Sequence, residues 1–208
     1  MAISVIAVGL VALAHGQEFL NLNFESAYDL TNPPEEGEQV ALTNAIPGWT
    51  AYAGTLALSE VWYSSNNFVD HTVVELEGGS LAISGAFSVG LYGGSIGQTG
   101  LVPEDAESLQ FESTFPDVTF RVSLGGQRLS YSLLSVGGVL PTGGHYSLYG
   151  ANIPADMDGQ MEMLTFWDSD ASGILLDNIG FSPTSVPEPP EYALIGLGIV
   201  LLGLWRRR

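Results

Sequence analysis

Along most of the chain, apolar and polar residues alternate over short runs, and each run ends in glycine, asparagine, serine or proline. Alternation with period two sends successive side chains to opposite faces, so these runs predict half-buried β-strands. The first is Phe19 to Phe24 (FLNLNF). Thr55 to Tyr63, Thr72 to Leu76, Leu81 to Ser88, Val89 to Tyr92, Ser95 to Thr99 and Ser108 to Phe111 come next. Thr119 to Leu124 and Gln127 to Val136 flank Gly125-Gly126 and make the clearest hairpin signal. Tyr146 to Tyr149, Met161 to Asp168 and Ile174 to Phe181 complete a set of roughly ten strands. No internal segment carries the helical period. Ile46-Pro47-Gly48-Trp49 reads as a turn that delivers Trp49 to the core. Short strands joined by glycine turns predict an all-β sandwich of jelly-roll type, closed by pairing of the first and last strands.

Two apolar runs break this pattern, one at each end. Ile3 to Ala14 is apolar and leads into small residues, as a secretory signal peptide does, with cleavage expected after Ala14 or Gly16. Tyr192 to Trp205 is apolar without a charge, and Arg206, Arg207 and Arg208 come after it. As a helix that run spans about 21 Å, short for a bilayer core of about 30 Å. It predicts a short transmembrane helix whose arginines snorkel and stay on the cytoplasmic side. Between domain and helix, Pro187, Pro189 and Pro190 forbid helix, so Glu188 sits in extended peptide. The organisation expected is a signal peptide over 1–16, a β-sandwich over 17–183, a Pro-rich linker over 184–191, a membrane helix over 192–205 and an Arg cluster over 206–208.

Charge narrows the function. The chain has 23 Asp and Glu against 5 Lys and Arg, a net charge of −18. Outside the terminal triplet the only basic side chains are Arg121 and Arg128, on either side of the Gly125-Gly126 turn, where acidic neighbours can pair with them. Such a surface repels nucleic acid and anionic lipid. With no cysteine, thiolate metal sites, thiol nucleophiles and disulfides are excluded. The histidines are His15, His71 and His145, and neither H-E-x-x-H nor G-x-S-x-G occurs. Many acids are present but none is marked as a catalytic pair, so the domain is expected to be non-enzymatic.

Val-Pro-Glu-Pro, a short apolar helix and a terminal Arg cluster together resemble the PEP-CTERM sorting signal of exported bacterial proteins. The resemblance implies that Pro187, Glu188 and Pro189 are recognised by a membrane-embedded exosortase, with Arg206 to Arg208 as the cytoplasmic stop. Pro190 departs from the Ser or Thr more usual there. A second resemblance rests on Asn23-Phe24-Glu25, Ile46-Pro47-Gly48-Trp49 and Leu176-Asp177-Asn178-Ile179, in that order. These are similar to carbohydrate-binding-module-like jelly rolls of the galactose-binding-like kind. That resemblance implies a structural Ca²⁺ where first and last strands meet, with Glu25 and Asp177 as the matching ligands. It also implies glycan contact through aromatic faces. Trp62, Tyr63, Tyr92, Tyr146, Tyr149 and Trp167 are the candidates, and Trp62 with Tyr63, beside Asn66 and Asn67, is preferred because alternation turns one of that pair outward. The expected protein is exported, processed, and held at the cell surface or in the extracellular polysaccharide matrix. The rival is a membrane-tethered structural or adhesive surface protein without a small ligand.

Overall fold

The computed structural model describes residues 16–27, 34–64, 74–114, 119–169 and 173–187 of the 208. Within them lie fourteen strands: β1 (Gln39–Ala41), β2 (Thr50–Ala53), β3 (Leu56–Ala57), β4 (Glu60–Tyr63), β5 (Val74–Gly78), β6 (Phe87–Leu91), β7 (Ser95–Leu101), β8 (Ser108–Ser113), β9 (Arg121–Leu124), β10 (Gln127–Leu129), β11 (Tyr131–Val139), β12 (His145–Asn152), β13 (Met161–Trp167) and β14 (Ile174–Ser182). One helical turn, α1 (Leu42–Ala45), and two 3₁₀ turns, Gly79–Leu81 and Ala155–Met157, interrupt them.

The strands form an all-β sandwich of two sheets. Eight are ordered β1-β4-β5-β6-β14-β8-β12-β11, and six are ordered β10-β9-β13-β7-β2-β3. Pairing is antiparallel except between β4 and β5. Alternation decides which side chains meet between the sheets. On β5, Val74 and Leu76 point inward, as do Val89 and Leu91 on β6, Phe111 on β8, Val122 and Leu124 on β9, and Leu164 and Phe166 on β13. The aromatic centre is continuous: Phe111 lies 5.8 Å from Phe120 and 5.5 Å from Phe166, and Trp49 lies 5.6 Å from Phe24. Trp49 is a core residue, as its turn predicts.

Four strand expectations are corrected: Thr55 to Tyr63 splits into β3 and β4 in different sheets, Gln127 to Val136 splits at Ser130 into β10 and β11, and two more concern the loops near Glu25. Phe19 to Phe24 alternates but forms no strand. Asn21 and Phe24 have φ of 50° and 57°, which a strand does not allow. The Gln98 amide replaces a ladder there, accepting from the Leu20 N–H and donating to the Leu20 carbonyl, while burial of the Phe24 ring against Trp49 fixes the turn. The first segment therefore packs across the sandwich, and β14 lies between β6 and β8 instead of pairing with it. It still touches β14 through a bond from the Ile179 N–H to the Leu22 carbonyl and through the Phe19 and Phe181 rings, 5.1 Å apart. The fourth correction is Leu81 to Ser88, where a 3₁₀ turn and a loop over 82–86 precede β6, which starts at Phe87. Gly85 turns that loop at φ 62°, and a Cβ there would run into the Glu25 carboxylate.

No helix among the described residues is long and apolar enough to cross a membrane. Residues 1–15 and the run Tyr192 to Trp205 lie outside them, so the signal-peptide and membrane-helix expectations fall outside the described residues.

Candidate functional site

Strand alternation makes two outer faces, and they differ in chemistry. On the eight-stranded sheet, Glu75 and Glu77 point away from the core because Val74 and Leu76 point into it. Cross-strand register places Glu75 opposite Gly90 and Glu77 opposite Ser88, and places Asp177 of β14 opposite Glu112 of β8. Glu75, Glu77 and Asp177 are nonetheless sealed from solvent. The Tyr92 ring accounts for part of the cover: it lies where a Cβ on Gly90 or Gly173 would stand, and its hydroxyl donates to Glu77 Oε1 at 3.0 Å. Burial pushes the Glu77 carboxyl up to about 8, helped by a hydrogen bond with Glu75 and by its charge, and opposed by the Tyr92 hydroxyl. Burial likewise raises Asp177 to about 7 against the pull of three donors. These carboxyls are closed off, so they tie strands together and meet no ligand from solvent.

Glu25 and Asp177, expected as calcium ligands, do converge on one loop. Ala86 and Phe87 N–H groups donate to Glu25 Oε1 at 2.9 and 3.0 Å. The Ser84 N–H and Ser88 Oγ donate to Asp177 Oδ2, both at 3.0 Å, and the Asn178 N–H donates to Oδ1. Donors occupy Glu25 Oε1 and both Asp177 oxygens, so this set anchors the 84–88 loop and leaves few oxygens turned to a hard cation. Among the described residues no three His, Asp or Glu side chains group as a metal site needs.

Of the preferred aromatic pair, Tyr63 packs against the core, and Trp62 lies half-buried on the outer face opposite Glu75. Asn66 and Asn67 lie outside the described residues. Near the C-terminal exit, Asn152 grips the chain twice: the Val186 N–H donates to its Oδ1 at 2.6 Å, and its Nδ2 donates to the Val186 carbonyl at 3.1 Å. Val186 is buried and Pro187 is exposed. The body thus holds the chain up to the residue before Pro187. Glu188, Pro189 and Arg206 to Arg208 lie outside the described residues.

The outer face of the six-stranded sheet is open. Phe166, Val122 and Ile96 point into the core, so Trp167, Arg121 and Ser95 share the outer face, aligned across β9, β13 and β7. One register step along, Ser123 and Thr165 align, with Arg128 of β10 opposite Ser123. A groove of about 370 Å³ runs over them, lined by Arg121, Arg128, Trp167, Ser95, Ser123 and Thr165 among others. Arg121 stacks over the Trp167 ring, 4.6 Å from its centroid. Among the described residues neither arginine forms an ion pair, contrary to the acidic partners expected from sequence. The two cations of the domain therefore border one groove in an otherwise acidic chain. Sequence reasoning named Trp167 and both arginines but did not join them, because β10-β9-β13 adjacency is a long-range fact. The available signal was the rarity of arginine itself.

No family model and no curated protein matches the chain. Among solved structures, the catalytic domain of a GH87 α-1,3-glucanase in complex with nigerose is similar at 18% identity and a TM-score of 0.30, over 51% of this chain and 23% of that one. A likeness at that score carries no argument about fold or activity. The chain is characterised by its own geometry, an all-β two-sheet sandwich with one closed acidic face and one open face bearing its arginines.

Proposed function

We propose that the chain is an exported protein, processed by an exosortase-type membrane enzyme, whose sandwich of jelly-roll type associates non-catalytically with extracellular polysaccharide. The observation that carries this is the order of the C-terminal parts. The Asn152 grip ends at Val186, and Pro187-Glu188-Pro189, a short apolar run and Arg206 to Arg208 come directly after it. Five residues separate Val186 from Tyr192, at most about 18 Å of extended chain, so a membrane-embedded enzyme meets this peptide between a folded body and the bilayer. The open groove, with hydroxyls, a tryptophan and two arginines, is the surface suited to a glycan. The intact mass of protein recovered from the matrix fraction tests the processing step. Loss of Arg206 to Arg208 with an end between Pro187 and Glu191 is expected, and protein that keeps Arg208 in that fraction rules processing out.

The second reading, a tethered adhesive surface protein, is supported by β11. This edge strand carries exposed Leu133, Val136 and Val139, and no Asp, Glu, Lys or Arg occurs from Leu129 to Ala155. Long uncharged edges invite strand addition. Full-length protein found in membranes alone, together with self-association lost in Val136→Lys, favours this reading over the first.

A further inference from the structure

We propose that the groove between Arg121 and Arg128 binds a glycan substituted with an oxyanion, a carboxylate or a sulfate ester, through its two guanidinium groups. This rests on the glycan reading above and names the class of sugar. The chain has a large excess of acids but only two Lys or Arg side chains, Arg121 and Arg128, before its C-terminal tail. Both border the same depression on the six-stranded sheet. Were they there for surface solubility, pairing with nearby acids would be the natural outcome, and among the described residues neither has an acidic partner.

Geometry favours an anion over a plain sugar stacked on tryptophan. The face of Trp167 is covered by the Arg121 guanidinium at 4.6 Å, so the ring serves as a platform for the arginine. Stacking fixes a planar guanidinium while leaving its N–H edge free, and that edge matches the two oxygens of a carboxylate or sulfate. Arg121 and Arg128 lie one strand apart, on β9 and β10, with Ser123 between them in register with Arg128. Ser95, Ser123 and Thr165 line the floor and supply hydroxyls for the ring oxygens and hydroxyls of the same sugar. Trp167 is thus a positioning residue, and the two arginines are the contacts. The net charge of −18 repels a densely charged polyanion, so the fitting ligand carries its oxyanions sparsely along an otherwise neutral chain.

The test is calorimetric titration of the full-length chain, in detergent, with matched short oligosaccharides: a neutral gluco-oligosaccharide, one bearing a single glucuronate, and one bearing a single sulfate ester. Binding of the glucuronate or the sulfate at least about tenfold tighter than the neutral sugar is expected. Whichever of the two binds tighter identifies the oxyanion. Arg121→Ala and Arg128→Ala are exposed changes that leave the fold intact and are expected to remove the preference. Trp167→Phe is expected to keep part of it, and Trp62→Ala, on the other sheet, to change nothing. Equal affinity for charged and neutral sugars overturns the oxyanion claim while leaving the glycan reading standing. No binding to any of the three overturns both, with processing still judged separately by mass. Preference that survives in both arginine variants places the site elsewhere and also overturns the claim.

Discussion

At the scale of the residue, the buried carboxyls set the protein's response to pH. Glu77 titrates at about 8 and Asp177 at about 7 in the folded chain, whereas free carboxyls titrate near about 4. The folded state therefore binds more protons than the unfolded state between those limits, and stability falls as pH rises through that window, levelling above about 8. Melting temperature is expected to drop steadily from acidic pH toward pH 8, and Glu77→Gln, which still accepts from Tyr92, is expected to flatten the upper part of that slope. An unchanged slope in the variant contradicts the assignment. Asp177→Ala strands the Ser84, Ser88 and Asn178 donors and is expected to cost about 3 kcal/mol in denaturant melts. Because donors already occupy Glu25 Oε1 and both Asp177 oxygens, calcium and chelator are expected to give the same melting temperature. The sequence singled out this pair as calcium ligands where the first and last strands meet, and was silent on the 84–88 loop that both side chains anchor. From sequence the strand ends at Leu76 and Glu77 falls in the Glu-Gly-Gly turn that follows it, whereas β5 runs on to Gly78 and buries Glu77. The Tyr92 ring over Gly90 and Gly173, brought from elsewhere in the chain, supplies part of the cover that makes Glu77 dry.

At the scale of the element, the hairpin between β9 and β10 was the most legible feature. Gly125 and Gly126, at φ of 58° and 78°, form the two-residue turn that requires positive φ at both positions. Gly125→Ala is expected to destabilise by about 1 to 2 kcal/mol, since its Cβ would also meet the Glu162 carboxylate at 2.5 Å. The path of the chain beyond that turn was not legible. Gln127 to Val136 reads as one strand, but the chain changes sheets at Ser130: β10 pairs with β9 in the six-stranded sheet and β11 pairs with β12 in the eight-stranded one. Alternation reports which way a side chain points and carries nothing about which sheet accepts the backbone. FLNLNF failed for the related reason that the Gln98 amide satisfies its backbone in place of a neighbouring strand. At the other end, the Asn152 grip predicts that Asn152→Ala raises hydrogen exchange over 183–187 and leaves β13 unaffected. Exchange unchanged at Val186 removes the grip from the account.

At the scale of the molecule, charge and faces act together. A net −18 disfavours the compact state by self-repulsion, so raising salt from about 10 to about 150 mM is expected to stabilise the fold. A melting temperature that falls over this range contradicts that. The same field repels nucleic acid and leaves the Arg121 and Arg128 groove as the one face among the described residues where cations gather. Buried acids on one sheet and an open groove bordered by both arginines on the other give the two faces different chemistry. On the proposed reading, the C-terminal parts beyond Val186 deliver that groove to the exterior of the cell. The most direct measurement of this account is a hydrogen-exchange footprint of the full-length chain with and without polysaccharide extracted from the matrix of its source cells. Protection is predicted along β9, β10 and β13, around Arg121, Arg128 and Trp167, with no change on β4 at Trp62. Protection confined to the eight-stranded sheet, or none at any strand, contradicts the account.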